Sequence, residues 1–192
     1  MRYGIVGMGV GTLACFGRPG DSFRFYEINP DVIRFAEGDG GYFSYLRDSP
    51  AEVFTVLGDA RLSLEREAAR GEQQKFDVLV LDAFNSDSVP VHLLTEEAFG
   101  LYLEHLRGPE SVIAVNITNR SLDLQPLLLG IAARRKLEML TVAALSVEWV
   151  LLARDPRYLR LEQLYNSRKP VPDGAQPIVW TDDYSNLLEL LR

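Results

Sequence analysis

Four places along this 192-residue chain hold residue types that could do chemistry together. The first is Gly7-Met8-Gly9-Val10-Gly11, alternating glycines directly after the apolar run Tyr3–Val6. Glycine takes left-handed backbone conformations freely and lets a ligand come close to the chain. The second is Glu27, twenty residues after Gly7 and suited to accept hydrogen bonds from ribose hydroxyls. The third is Asp59, in Gly58-Asp59-Ala60, and the fourth is Asp82, after the apolar run Phe76–Leu81. A carboxylate in such a place can hold a cation or take a proton. An acid after a strand is commonly only a turn residue or a helix cap. Four such sites at the ends of successive strands are hard to explain as turn chemistry alone.

The elements that must carry these residues alternate. Tyr3–Val6, Phe23–Tyr26, Glu52–Leu57, Phe76–Leu81 and Val112–Val115 read as strands. Phe76–Leu81 is so apolar that burial on both faces is expected. Between them lie helical stretches: a start at Thr12, then Asp31–Glu37 behind Asn29 and Pro30, then Ala60–Ala69. A further helix follows Thr95 with Glu96 and Glu97 in its first turn, and another runs through Leu127–Arg134. Leu140–Ala144 and Trp149–Ala153 read as closing strands. The segment 166–177, with three prolines, reads as a loop, and 185–191 as a short helix. Alternation of this kind predicts an α/β domain with a mostly parallel sheet and helices on both faces. In such sheets ligands bind beyond the carboxyl ends of the strands. All four chemical sites then face one crevice.

Composition narrows the classes of partner. With 47% hydrophobic and 24% charged residues the chain is an ordinary globular one, and its length suits one domain, 1–192. A net charge of −7 argues against a nucleic-acid partner and suits a cationic ligand. The single cysteine, Cys15, leaves no internal disulfide and no zinc spacing. That points to a reducing, cytoplasmic setting and to no metal. No apolar run has the length that spans a bilayer, and the N-terminus does not read as a signal peptide, so membrane insertion is not expected.

Ligand chemistry follows from the spacing. A dinucleotide fingerprint is G-x-G-x-x-G. Here its third position is Thr12 and the glycine falls one place earlier, at Gly11, which favours a compact nucleoside over a pyrophosphate. Asp59 can accept the exocyclic amine of adenine, and Ile28 can pack on the adenine face. Together these features read as a site for S-adenosylmethionine or a relative. Other residues carry blander expectations. His92 reads as a solvated loop histidine, His105 as a surface residue late in a helix, and Cys15 as a small buried apolar residue. Arg61–Arg70 reads as a solvated helix face, and Asp182 and Asp183 as turn or helix caps.

At this level of detail the residues resemble a known family. Tyr26-Glu27-Ile28-Asn29-Pro30-Asp31-Val32-Ile33, Gly58-Asp59-Ala60-Arg61 and Phe76-Asp77-Val78-Leu79-Val80-Leu81-Asp82-Ala83 look like the spermidine synthases, or polyamine aminopropyltransferases. The segments 82–95 and 180–187 look more like a bacterial spermidine-synthase-like branch. The resemblance implies a Rossmann-like methyltransferase fold, with seven strands and one antiparallel strand near the C-terminus. It implies that Glu27 holds the ribose, Asp59 and Ala60 the adenine, and the Gly7–Gly11 loop the region of the sulfonium. It makes Asp82 the catalytic aspartate and Asp87 a contact for a small cationic amine, and it implies a homodimer. The donor would be decarboxylated S-adenosylmethionine or S-adenosylmethionine itself. Two features differ from the family pattern: Val10 stands where an amine-anchoring aspartate is usual, and, with the first core strand expected at Tyr3, the family's N-terminal β-rich domain is expected to be missing. The alternatives are therefore methyl transfer from intact S-adenosylmethionine and nucleoside binding without turnover. A dehydrogenase is disfavoured by the glycine spacing.

Overall fold

Five of the apolar runs form five parallel strands in the computed structural model, which describes residues 1–83, 89–172 and 174–192. They are β1 (Arg2–Val6), β2 (Ser22–Glu27), β3 (Glu52–Leu57), β4 (Val78–Leu81) and β5 (Val112–Asn116). β6 (Glu138–Ala144) and β7 (Val147–Ala153) follow, and β7 runs antiparallel to both β5 and β6. A two-residue strand, β8 (Arg168–Lys169), adds to β6, so among the described residues the sheet has eight strands rather than seven, in the order β3-β2-β1-β4-β5-β7-β6-β8. Strand order reverses between β1 and β4. In an open α/β sheet that reversal opens a crevice at the carboxyl edge.

The helices are α1 (Pro30–Ala36), α2 (Ala60–Ala69), α3 (Glu96–Glu104) and α4 (Gln125–Arg135). Three of them start as the sequence suggests. Asn29, Asp59 and Thr95 are N-caps whose side chains accept the N–H groups of Asp31, Leu62 and Ala98. Each such cap stabilises its helix by about 1 kcal/mol. The larger core lies on the α2–α4 side, where Leu79, Leu81, Ile113, Val115, Val150 and Leu152 are buried. A smaller core of Ile5, Phe23 and Phe25 lies on the other side, against Ala14, Ala36 and Leu46.

α2 is also tied to the sheet by a polar triad. Glu67 is buried and accepts from Arg24 (2.5 Å) and from the Tyr26 hydroxyl (2.8 Å). Burial, with Glu67 beside it, pushes the Tyr26 hydroxyl far above its ordinary pKa, so it stays a donor. This part of the Arg61–Arg70 stretch is therefore no solvated face.

Several local expectations change. The segment after the glycines forms only a 3-10 turn (Thr12–Phe16), because just fifteen residues separate β1 from β2 and three of the first five are glycines in left-handed conformation. Only Ala14 of that turn is buried. Cys15 is exposed, not a buried apolar residue, because it faces outward beside the exposed Phe16. The C-terminal helix is likewise a 3-10 turn, Leu187–Leu190. β4 starts at Val78 and alternates buried and half-buried residues, so only one of its faces is fully covered. His105 is fully buried instead of lying at the surface. Its Nδ1 accepts the Gln74 N–H and its Nε2 donates to the Leu64 carbonyl. Desolvation holds its pKa below the ordinary histidine value, which keeps it neutral.

Candidate active site

The carboxyl ends of β1 to β4 are stitched together beyond the strands themselves. Gly7 N–H donates to the Tyr26 carbonyl (2.9 Å), Gly58 N–H to Glu27 (2.8 Å) and Asp82 N–H to Val6 (2.8 Å). These bonds hold the four strand ends around one crevice of about 450 Å³. Gly7, Gly9, Glu27, Ile28, Asp59, Ala60 and Asp82 all line it. Gly11 does not. It is buried, and a Cβ there would lie 2.4 Å from Leu46, so its glycine serves packing. Asp87 lies outside the described residues.

Gly7 has φ +89°, and a Cβ on it would sit 2.6 Å from the Asp82 carbonyl oxygen. Only glycine lets β1 turn this tightly past the end of β4. Gly9, with φ +55°, meets nothing within 4 Å at its Cβ position, so the loop leaves open space there. Glu27 clasps this loop. Its Oε2 accepts the Met8 N–H (3.0 Å) and its Oε1 accepts the Asn29 N–H (2.9 Å). The carboxylate is thus oriented before any ligand arrives. Ile28 beside it is 68% exposed, an apolar surface that could cover a flat base.

Asp59 sits across the crevice. Its Oδ1 accepts the Leu62 N–H (2.9 Å), and its Oδ2 lies 2.8 Å from His92 Nε2. Burial pushes its carboxyl pKa up, but the Leu62 N–H, His92 and the Arg61 N–H outweigh that and hold it below the usual range. His92 is therefore no free loop histidine. Its carbonyl accepts from Arg61 (2.8 Å), and the same guanidinium pairs with both oxygens of Asp182 and with Thr95. Asp182 is thereby committed to a structural ion pair.

Asp82 opens into the crevice at the end of β4. The residue beside it in register, at the end of β5, is Asn116. Asn116 Nδ2 donates to Asp82 Oδ1 at 2.7 Å, while Asn116 Oδ1 accepts the Thr118 N–H at 2.9 Å. That second bond decides which end of the amide faces Asp82. The crevice walls desolvate Asp82 and raise its pKa above the ordinary aspartate value, and the Asn116 bond opposes the rise. A carboxylate tuned upward, open to a ligand and held in one orientation is equipped to take a proton. Among the described residues, no group of three or more His, Cys, Asp or Glu gathers as a metal cage.

Asn116, His92 and Arg61 are the residues the sequence reading did not place in the site. The rule of strand ends applies to Asn116 as much as to Asp82, so a signal was present. His92 and Arg61 had none, because their partners come from elements far away in the chain.

Known proteins are similar to this chain in sequence and in fold. The chain is 32% identical over 120 residues to a polyamine aminopropyltransferase of Vibrio vulnificus, covering 61% of this chain and 38% of that one. The chain is similar to the polyamine aminopropyltransferases in sequence. It is also 30% identical over 116 residues to a probable polyamine aminopropyl transferase of Bifidobacterium longum, covering 59% and 23% of the two chains. The curated aminopropyltransferases are thus much longer than this chain, which spans less than two-fifths of either. Among solved structures, spermidine synthase from Thermotoga maritima superposes with a TM-score of 0.58 at 15% identity, over 95% of this chain and 62% of that one. An O-methyltransferase from Bacillus cereus in complex with SAH gives 0.56 at 16% identity, over 79% and 73%. The fold is therefore the Rossmann-like one that aminopropyltransferases share with methyltransferases. No family model matches the chain.

Proposed function

We propose that this chain transfers an aminopropyl group from decarboxylated S-adenosylmethionine to a small cationic amine. The observation that carries the proposal is Asp82, oriented by Asn116 and facing a crevice whose other acidic walls are Glu27 and Asp59. The names of the curated relatives support it. In this reading Glu27 holds the ribose hydroxyls, Asp59 and the Ala60 N–H hold the adenine edge, and Gly7 and Gly9 leave room for the sulfonium.

The acceptor arrives as an ammonium ion, and Asp82 takes its proton. The freed nitrogen lone pair attacks the aminopropyl carbon bonded to sulfur. A carbon–nitrogen bond forms and the carbon–sulfur bond breaks, its electron pair returning to sulfur. Methylthioadenosine leaves as a neutral thioether, and the proton on Asp82 passes to water. In-line positioning supplies much of the rate, since the sulfonium is already a good leaving group. Asp87 would be a second contact for the amine. We also place the chain in the cytoplasm on the strength of its single cysteine. Among the described residues no helix is long and apolar enough to cross a membrane.

Methyl transfer is the second reading. It is favoured by Val10, which leaves the glycine loop without an acid to anchor the amine of the decarboxylated donor. Calorimetric titration with the two donors separates the readings. A preference of about 10-fold, or ~1.4 kcal/mol, for the decarboxylated donor is expected. A preference for intact S-adenosylmethionine overturns aminopropyl transfer in favour of methyl transfer, and binding of neither removes the enzyme reading. With the preferred donor and a polyamine acceptor, Asp82→Asn should abolish turnover while leaving donor affinity unchanged.

A further inference from the structure

We propose that His92 sets how tightly the crevice holds an adenine nucleoside, because its imidazole stands on the crevice side of Asp59 Oδ2, where the base's amino group would approach. This rests on the nucleoside reading of the crevice and goes beyond it by assigning a competitor inside the binding site. Asp59 has two acceptor oxygens, and both are engaged. Oδ1 caps α2 through the Leu62 N–H, a bond the helix needs. Oδ2 faces His92 Nε2 at 2.8 Å. Asp59 and His92 line the same crevice, so an adenine amino group that reaches Asp59 from within it meets Oδ2 on the side where the imidazole already stands.

The surroundings allow that exchange by the side chain alone. The backbone of His92 is pinned, because its carbonyl accepts from Arg61 (2.8 Å) and the next carbonyl, Leu93, accepts from the buried Tyr102 hydroxyl (3.1 Å). Arg61 is fixed in turn by both oxygens of Asp182 and by Thr95. The His92 side chain itself is half exposed, so rotation about its χ angles carries the ring into solvent while the loop stays in place. His92 is thus a placeholder. It keeps Asp59 paired when no base is bound, and it exacts a cost in affinity when one arrives. That cost is the net worth of one hydrogen bond at a partly exposed site, about three- to tenfold in affinity.

The test compares wild type with His92→Ala by calorimetry, using two neutral probes: methylthioadenosine and its analogue lacking the 6-amino group. The substitution leaves both backbone pins intact. The expected result is a three- to tenfold gain in methylthioadenosine affinity for His92→Ala and no gain for the deamino analogue, which makes no claim on Asp59 Oδ2. Weaker or unchanged binding of methylthioadenosine overturns the inference, because His92 would then be a contact or a bystander. An equal gain for both probes overturns it too, since the substitution would only have made room. If neither protein binds either probe, the nucleoside reading itself falls, an outcome distinct from the other two.

Discussion

Asp82 and Asn116 show how one neighbour can tune a reactive group. Burial in the crevice raises the Asp82 pKa, and the Asn116 amide pulls it back. In the proposed function Asp82 is the base, and a base works only when ionised, so the acidic limb of the kcat/KM profile should report that balance. Asn116→Leu removes the opposing hydrogen bond and leaves burial alone. The limb should move to higher pH, and kcat/KM near neutrality should fall about tenfold, the worth of one charge-assisted hydrogen bond. Methylthioadenosine affinity should not change, because Asn116 does not line the crevice; a pH profile that stays put would refute the positioning role. The raised pKa also bears on stability. A carboxyl that binds its proton more tightly when folded loses stability as pH rises through its folded pKa. Asp82→Asn should therefore melt no lower than wild type at neutral pH, even though the proposed function makes it inactive.

At the scale of elements, the junction of α2 with β2 has the most at stake. Glu67 is buried on α2 and satisfies Arg24 and Tyr26 from β2. Glu67→Ala strands a half-buried guanidinium and a buried hydroxyl. We expect a loss of about 3 kcal/mol in urea unfolding, whereas Glu67→Gln, which keeps an acceptor, should lose less. Strands and capped helices were legible because they rest on local signals, namely apolar runs, Asn29-Pro30, Gly58-Asp59 and Thr95. The 3-10 turn after β1 was not, because a glycine run can open a helix or end in a single turn, and chain length between strands decides. His105 misled for a different reason. Late helical positions are commonly solvated, and nothing near it in sequence announces that the Leu64 carbonyl will receive its Nε2–H. The same limit hid His92 and Arg61, while Glu27, Asp59 and Asp82 were legible because the sheet rule places strand ends together.

For the whole molecule, charge and the crevice act together. The chain carries a net −7, and Glu27, Asp59 and Asp82 open into one cavity. Such a field draws cations and is screened over roughly 8–10 Å at physiological salt. Association of a polyamine should slow as ionic strength rises, while association of neutral methylthioadenosine should hardly respond; stopped-flow measurements of both ligands check this, and equal salt dependence would argue against steering. The Arg61 clamp reaches further still. It joins the His92 carbonyl to Asp182, two residues beyond the fully buried Trp180. The chain has only one other tryptophan, the half-buried Trp149. Any loosening of the C-terminal segment from Arg61 would wet the Trp180 indole and shift its emission to the red. The protein thus carries its own optical gauge of whether the segment behind His92 is seated.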